Sequence, residues 1–158
     1  MDATHEHFLR KAIDLAVENV RSGRGGPFGA VVVKDGEIIG QGTNTVTAGN
    51  DPTAHAEINA IRDACRRLGE HQLYGCVVYS SCEPCPMCLG AVYWARPERV
   101  VYAGTRGDAA GAGFDDAFIY EELGAEPDQR RIPVLHVPLA ASSEPFRLWL
   151  SDSDRHEY

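Results

Sequence analysis

The sequence predicts an α/β domain of three layers, with helices on both faces of one mixed sheet of about five strands. Two observations carry that expectation. Apolar residues switch between helical spacing and short buried runs, in the order helix, hairpin, helix, strand, helix, strand. The 158-residue chain is also 44% hydrophobic and 24% charged, which suffices to bury a core without disulfides.

Leu9, Ile13, Ala16, Val17 and Val20 recur at helical spacing and predict a helix over about 5–22. The Gly- and Pro-containing stretch from Ser22 to Pro27 ends it. Two apolar runs, from Phe28 and from Glu37, flank Asp35-Gly36, a pair that accepts the positive φ angles of a tight turn and so predicts a hairpin. A polar loop from Asn44 to Thr53 leads into a second helix over about 54–69, with Ile58, Ile61, Ala64, Cys65 and Leu68 on one stripe. Cys76 to Ser80 reads as a buried strand, and Pro84 to Ala95 as a third helix ended by Arg96-Pro97. Arg99 to Ala103 reads as another buried strand. A Gly/Ala-rich loop (Gly104 to Gly113) and a short helix near 115–123 follow. The last stretch holds one strand-like run, Ile132 to Val137, and an amphipathic segment around Phe146, Leu148 and Trp149.

No repeat or low-complexity linker interrupts the chain, so residues 1–158 are expected to form one domain. The stretch from Gly124 to Arg131 would join its core to a C-terminal arm of about 124–158. No run approaches the roughly 18 apolar residues of a membrane span, and the start lacks the basic-then-apolar profile of a leader peptide. The expected location is the cytoplasm, with no membrane partner. A net charge of −8 repels phosphates at long range and argues against a nucleic-acid ligand, while leaving a small neutral substrate unaffected. Three of the five cysteines crowd into Cys82 to Cys88, which in a reducing compartment points to metal binding or catalysis.

The chemistry concentrates in Thr53-Ala-His55-Ala-Glu57 and Pro84-Cys85-Pro-Met-Cys88, an H-x-E … P-C-x-x-C pattern characteristic of zinc-dependent base deaminases. His55, Cys85 and Cys88 supply three ligands and leave the fourth tetrahedral position for water, as a catalytic zinc requires. Zinc lowers the pKa of such a water toward neutrality and so supplies a hydroxide nucleophile. Cys85 and Cys88, at i and i+3, share one side of a helical first turn, where the positive helix end favours thiolates. His55 and Glu57, at i and i+2, do not share a helix face, so the metal must lie off the start of the second helix. Two helix starts must then face one point. Glu57 is the expected proton shuttle, because no other acid sits at that offset.

Simpler readings compete. A lone C-x-x-C is often a structural zinc knuckle or a redox pair, and Cys82 as a fourth ligand would close the site. Cys82 ends a strand whereas Cys85 begins a helix, which favours the open set.

These residues resemble the cytidine-deaminase-like superfamily, and the chain is similar over its length to the bacterial guanine deaminase branch. The resemblance includes Gly25 to Ala30, Asn50 to Glu57, Ser81 to Ala91, Tyr93 to Pro97, Ala112 to Tyr120 and the terminal Glu157-Tyr158. It implies one zinc ion per active site and hydrolysis of the 2-amino group of guanine to xanthine and ammonia. It also implies that Asn44 hydrogen-bonds the purine, that Phe28 and Trp94 wall it, and that Ala56 lines the same pocket. Asp116 would act as a second acid near the departing amino group. A homodimer that exchanges C-terminal arms, with Tyr158 closing the partner's site, is part of the same implication.

Each of these residues also has a plainer role open to it. Phe28 and Trp94 fit an ordinary core, Asn44 a turn, and Tyr158 a frayed end. One of Asp115 and Asp116 fits a helix cap, the more so Asp115. Guanosine or cytosine-type bases use the same zinc machinery and remain alternatives. A tRNA adenosine deaminase would need a basic face that this acidic chain lacks, and a non-catalytic zinc domain would have no use for Glu57.

Overall fold

Helix α1 (Ala3–Arg21) opens the computed structural model, which describes residues 3–158. Strands β1 (Gly29–Lys34) and β2 (Glu37–Thr43) form the hairpin, and Asp35 and Gly36 turn it with φ angles of 51° and 81°. A single helical turn, α2 (Val46–Gly49), lies inside the polar loop before α3 (Ala56–Leu68). Strand β3 (Cys76–Cys82), helix α4 (Pro86–Ala95) and strand β4 (Arg99–Gly104) form a parallel crossover unit. The sheet order is β2-β1-β3-β4, with β1 antiparallel to both β2 and β3. The sheet is therefore mixed and the architecture α/β, as the pattern predicts.

The chain divides into two compact units, the first ending at Asp116 and the second spanning Ala117–Tyr158. In the first unit, strand alternation assigns the two faces. Ala30, Val32, Cys76 and Val78 pack with Ala56, Ala60 and Ala64 of α3. Val31, Val33 and Tyr79 pack with Phe8 of α1 on the opposite face. Alanines on α3 meet glycines on β2, so the backbones approach closely. A β-carbon at Gly40 would stand 2.6 Å from the Ala64 Cβ and 2.7 Å from the Ala60 carbonyl oxygen.

Five expectations change. The buried stripe of α1 is Phe8, Ala12, Ala16 and Asn19, whereas Val17 and Val20 face solvent. The expected buried strand at 99–103 is a half-exposed edge strand. The Gly/Ala-rich loop contains a helix, α5 (Arg106–Gly111), held by a capping box between Thr105 and Asp108. Ile132–Val137 is not a strand, so the sheet has four strands among the described residues rather than about five. Pro133 lacks a ladder donor, and no other strand lies within the second unit to pair with this run. Lastly, the short helix expected near 115–123 begins at Ala117, directly after Asp116.

The second unit consists of α6 (Ala117–Gly124), α7 (Glu144–Ser151) and irregular chain with two 3₁₀ turns. Arg131 bonds Glu122 through its backbone N–H at 2.6 Å and its guanidinium at 3.5 Å, and Val134 N–H reaches the Pro127 carbonyl at 2.9 Å. No helix among the described residues is long and apolar enough to cross a membrane.

The close approach of α3 to β2 generates a stability prediction. Gly40→Val should lower the urea midpoint, costing at least about 1–3 kcal/mol through overpacking. Gly90→Ala, in α4 with no atom within 4 Å of its β-carbon position, should leave it unchanged or raise it. Equal midpoints for Gly40→Val and the parent would refute the packing account.

Candidate active site

The approach to α3 is built by a turn. Asn50 takes a left-handed φ of 49°, and the Asp51 carboxylate accepts from Thr53 N–H at 2.8 Å and its hydroxyl at 2.7 Å. Those two bonds hold the Asp51 pKa below the usual carboxylate range. The turn delivers His55 in extended conformation (φ −72°, ψ 160°) immediately before the first helical residue, with its side chain uninvolved in capping. Asn59, one turn on, donates to the Thr43 carbonyl at 2.9 Å and the Thr45 hydroxyl at 3.1 Å, stapling α3 to the end of β2.

The start of α4 repeats this arrangement. Cys85 is the residue before the helix, extended at φ −68° and ψ 169°, and Pro86 occupies the first helical position, where no N–H is required. Cys88 follows in the first turn, fully buried. His55 Nδ1 lies 3.5 Å from Cys85 Sγ and 3.4 Å from Cys88 Sγ. The three ligand atoms all fall within 4.8 Å of one another. Two helix starts thus face one point, as the i, i+2 spacing of His55 and Glu57 demands.

The donor set fits zinc. Zinc–nitrogen bonds of about 2.0–2.1 Å and zinc–sulfur bonds of about 2.3 Å at a tetrahedral centre place N and S about 3.6 Å apart. The observed separations of 3.4 and 3.5 Å match. Charge matches as well: the Cys88 thiol and His55 hold the Cys85 pKa down to about 4, while the hydrogen bond to Cys85 and burial push Cys88 up. The Cys85 hydrogen bond raises the His55 pKa. A cation there would relieve two sulfurs that compete for one proton. Cys82 stays outside the set, since its thiol donates to the Thr105 carbonyl at 3.4 Å.

Glu57, at the second helical position, turns its carboxyl inward and is only 6% exposed. Its Oε1 accepts from the Ser80 hydroxyl at 3.2 Å and its Oε2 from the Cys88 thiol at 3.5 Å. Burial raises the Glu57 pKa, so the carboxyl holds a proton more readily than an exposed acid does. Ser80 reaches it because alternate residues Cys76, Val78 and Ser80 of β3 point to the α3 face.

Around this centre, Asn44 is buried at the end of β2, and its side-chain oxygen accepts from Val46 N–H at 3.2 Å. Phe28 meets Phe114 edge to face at 5.0 Å. Ala56, fully buried, separates His55 from Glu57. Asp116 is partly exposed, and its pKa is raised by burial and by the charge of Cys85. Trp94 is not brought to the cluster within one chain. It lies 64% exposed at the far end of α4, six residues and about 9 Å along the helix from Cys88. Tyr158 is the exposed last residue of the second unit.

Sequence reasoning missed Ser80, Phe114 and Asn19. Ser80 is a polar residue on the inward parity of an otherwise apolar strand, a legible signal. Asn19 continues the 8-12-16 spacing that α1 buries, but that stripe emerges only once α1 is seated on the sheet. Phe114 carries no local signal, because its contact with Phe28 spans most of the first unit.

Residues 2–104 match the cytidine and deoxycytidylate deaminase zinc-binding region. The chain is 56% identical over 154 residues to a guanine deaminase of Bacillus subtilis, covering 98% of this chain and 99% of that one. The X-ray structure of guanine deaminase from Bacillus subtilis superposes with a TM-score of 0.96 over 98% of both chains, at 56% identity. A tRNA-specific adenosine deaminase of Aquifex aeolicus is 45% identical over 98 residues, 62% of this chain and 64% of that protein.

The ligand geometry makes a metal prediction. Purified protein should hold one zinc per chain by atomic absorption, Cys88→Ala should lose it, and Cys82→Ala should keep it. Zinc loss on replacing Cys82 would mean a closed four-ligand site instead.

Proposed function

The chain belongs to the cytidine and deoxycytidylate deaminase zinc-binding family, and on that premise we propose how it works as a guanine deaminase. The observation that carries the reading is a buried Glu57 carboxyl beside the three candidate zinc ligands His55, Cys85 and Cys88. The overall reaction adds one water at C2 of guanine, breaks the C2–amino bond, and releases xanthine and ammonia.

His55, Cys85 and Cys88 hold the zinc ion, which acts as a Lewis acid and lowers the pKa of water. Glu57 accepts a proton from the attacking water and delivers it to the ring nitrogen beside C2. The same carboxyl then takes the second proton from the oxygen newly bonded to C2, and it or Asp116 beside the departing group protonates the amino nitrogen, so that the C2–N bond breaks, the C2 carbonyl forms and ammonia leaves. The Ser80 hydroxyl holds Oε1, which aims the other oxygen, Oε2, at the metal side. The Phe28 ring stacks against the purine, the Asn44 side chain hydrogen-bonds its edge, and the small Ala56 leaves room for it.

Trp94 and Tyr158 complete the pocket from a second copy in a homodimer that exchanges its C-terminal arms (about 124–158), so that residues 1–158 act as one deaminase domain. Support comes from the exposure of both rings and from the apolar residues Ile132, Leu135 and Val137, which the second unit leaves uncovered. The net charge of −8 supports a small substrate over nucleic acid, and we assign the enzyme to the cytoplasm.

Zinc-loaded protein should release ammonia and xanthine from guanine, and release from none of guanine, guanosine, cytosine or adenine would sink the deaminase reading. Glu57→Gln should lower kcat by at least about 100-fold with zinc retained. Asp116→Asn should also spare zinc and lower kcat, and unchanged turnover would remove its assigned role. Ser80→Ala should reduce kcat about tenfold by releasing Oε1. Arm exchange should show as regained activity when Glu57→Gln protein is mixed and reassembled with protein lacking Tyr158.

A further inference from the structure

We propose that Asn19 is a positioning residue for substrate recognition, clamping together the two backbone segments that carry Phe28 and Asn44. It rests on the reading that those two side chains hold the purine. Asn19 lies in the last turns of α1, fully buried, where Phe8, Ala12 and Ala16 continue the same stripe. Its Nδ2 donates to the Gly26 carbonyl at 2.9 Å and to the Asn44 carbonyl at 2.8 Å. Its own carbonyl accepts from Arg24 N–H at 3.2 Å and from the Ser22 hydroxyl at 3.1 Å. One residue therefore stitches the loop after α1 to the end of β2.

The clamped segments touch at the candidate pocket. Asn44 N–H donates to the Phe28 carbonyl at 3.2 Å. A β-carbon at Gly26 would stand 3.4 Å from the Phe28 ring, 3.5 Å from Asn44 Cγ and 3.5 Å from the Phe114 ring. Without the Asn19 amide, the Asn44 carbonyl would lose this donor and the Gly26 carbonyl would keep the Phe28 N–H at 2.9 Å, with nothing tying the two segments at this point.

A structural role alone explains Asn19 poorly. Its Oδ1 is buried with no hydrogen-bond partner among the described residues. An unmet buried acceptor is destabilising, and an apolar side chain would fill this face of α1 without that penalty. The donor pair is what the position retains, and both donors go to the segments beneath the purine-binding side chains.

The test uses full-length, zinc-loaded protein and guanine as substrate. Asn19→Asp keeps the volume but opposes an acceptor to both carbonyls, and Asn19→Ala serves as the gentler second variant should the aspartate prevent folding. Either should raise KM about tenfold, change kcat less than about threefold, and weaken xanthine binding in calorimetry, with zinc content unchanged. Combining Asn19→Ala with Asn44→Ala should raise KM no further than Asn44→Ala does alone, because one acts through the other. An unchanged KM in the Asn19 variants, or losses that multiply in the double variant, would overturn the proposal. If Asn44→Ala itself leaves KM unchanged, the recognition role of Asn44 fails and takes that of Asn19 with it. A rise in KM for Asn44→Ala but not for the Asn19 variants overturns Asn19 alone.

Discussion

Two helix N-termini aimed at one point constrain everything else in the first unit. His55 and Cys85 both precede their helices in extended conformation, so their side chains project beyond the helix ends instead of along a flank. Their helix dipoles add, and the space between favours negative sulfur next to a cation. A shift of either helix by one residue would rotate a ligand away by about 100°. The glycines of β2 and the alanines of α3 guard against such a shift, because only a close, unencumbered contact leaves α3 a single seat on the sheet.

The strand alternation of β3 does comparable work from below. Its residues on the α3 face run from core to chemistry: Cys76 and Val78 pack, then Ser80 meets the carboxyl of Glu57. The same strand leads through Cys82 to the α4 start, so the acid's hydrogen-bond partner and two thiol ligands sit within nine residues of sequence. Burial raises the Glu57 pKa, while the Ser80 hydroxyl holds Oε1 and leaves Oε2 on the side of the metal ligands. A buried acid anchored through one oxygen keeps one orientation, which proton transfer over a few ångströms requires.

Polar side chains inside the core carry the surrounding scaffold. Asn19 and Asn59 bond the backbone of segments distant in sequence while Asn44 turns the chain locally onto Val46 N–H, and together they secure the loop after α1, the end of β2 and the start of α3. Amides suit this use because they offer donors and an acceptor without charge, and so avoid the desolvation penalty of an ion pair.

The sequence alone determined the layered α/β class, the hairpin at Asp35-Gly36, the three main helices and the identity of His55, Glu57, Cys85 and Cys88. Those features are local: helical spacing, turn chemistry and ligand offsets all act within a few residues. The four-stranded order, the edge position of β4, the irregular course of Ile132–Val137 and the burial of Asn19 were decided by tertiary structure. Whether an apolar run becomes a strand depends on a neighbour with free hydrogen bonds, and Pro133 and an unpaired surround withhold it. Which face of α1 is buried depends on where Gly29 admits its backbone, next to Ala12 and Ala16. Ser80 and Phe114 join the site only because strand register and loop closure bring distant residues together, and no spacing along the chain encodes such contacts.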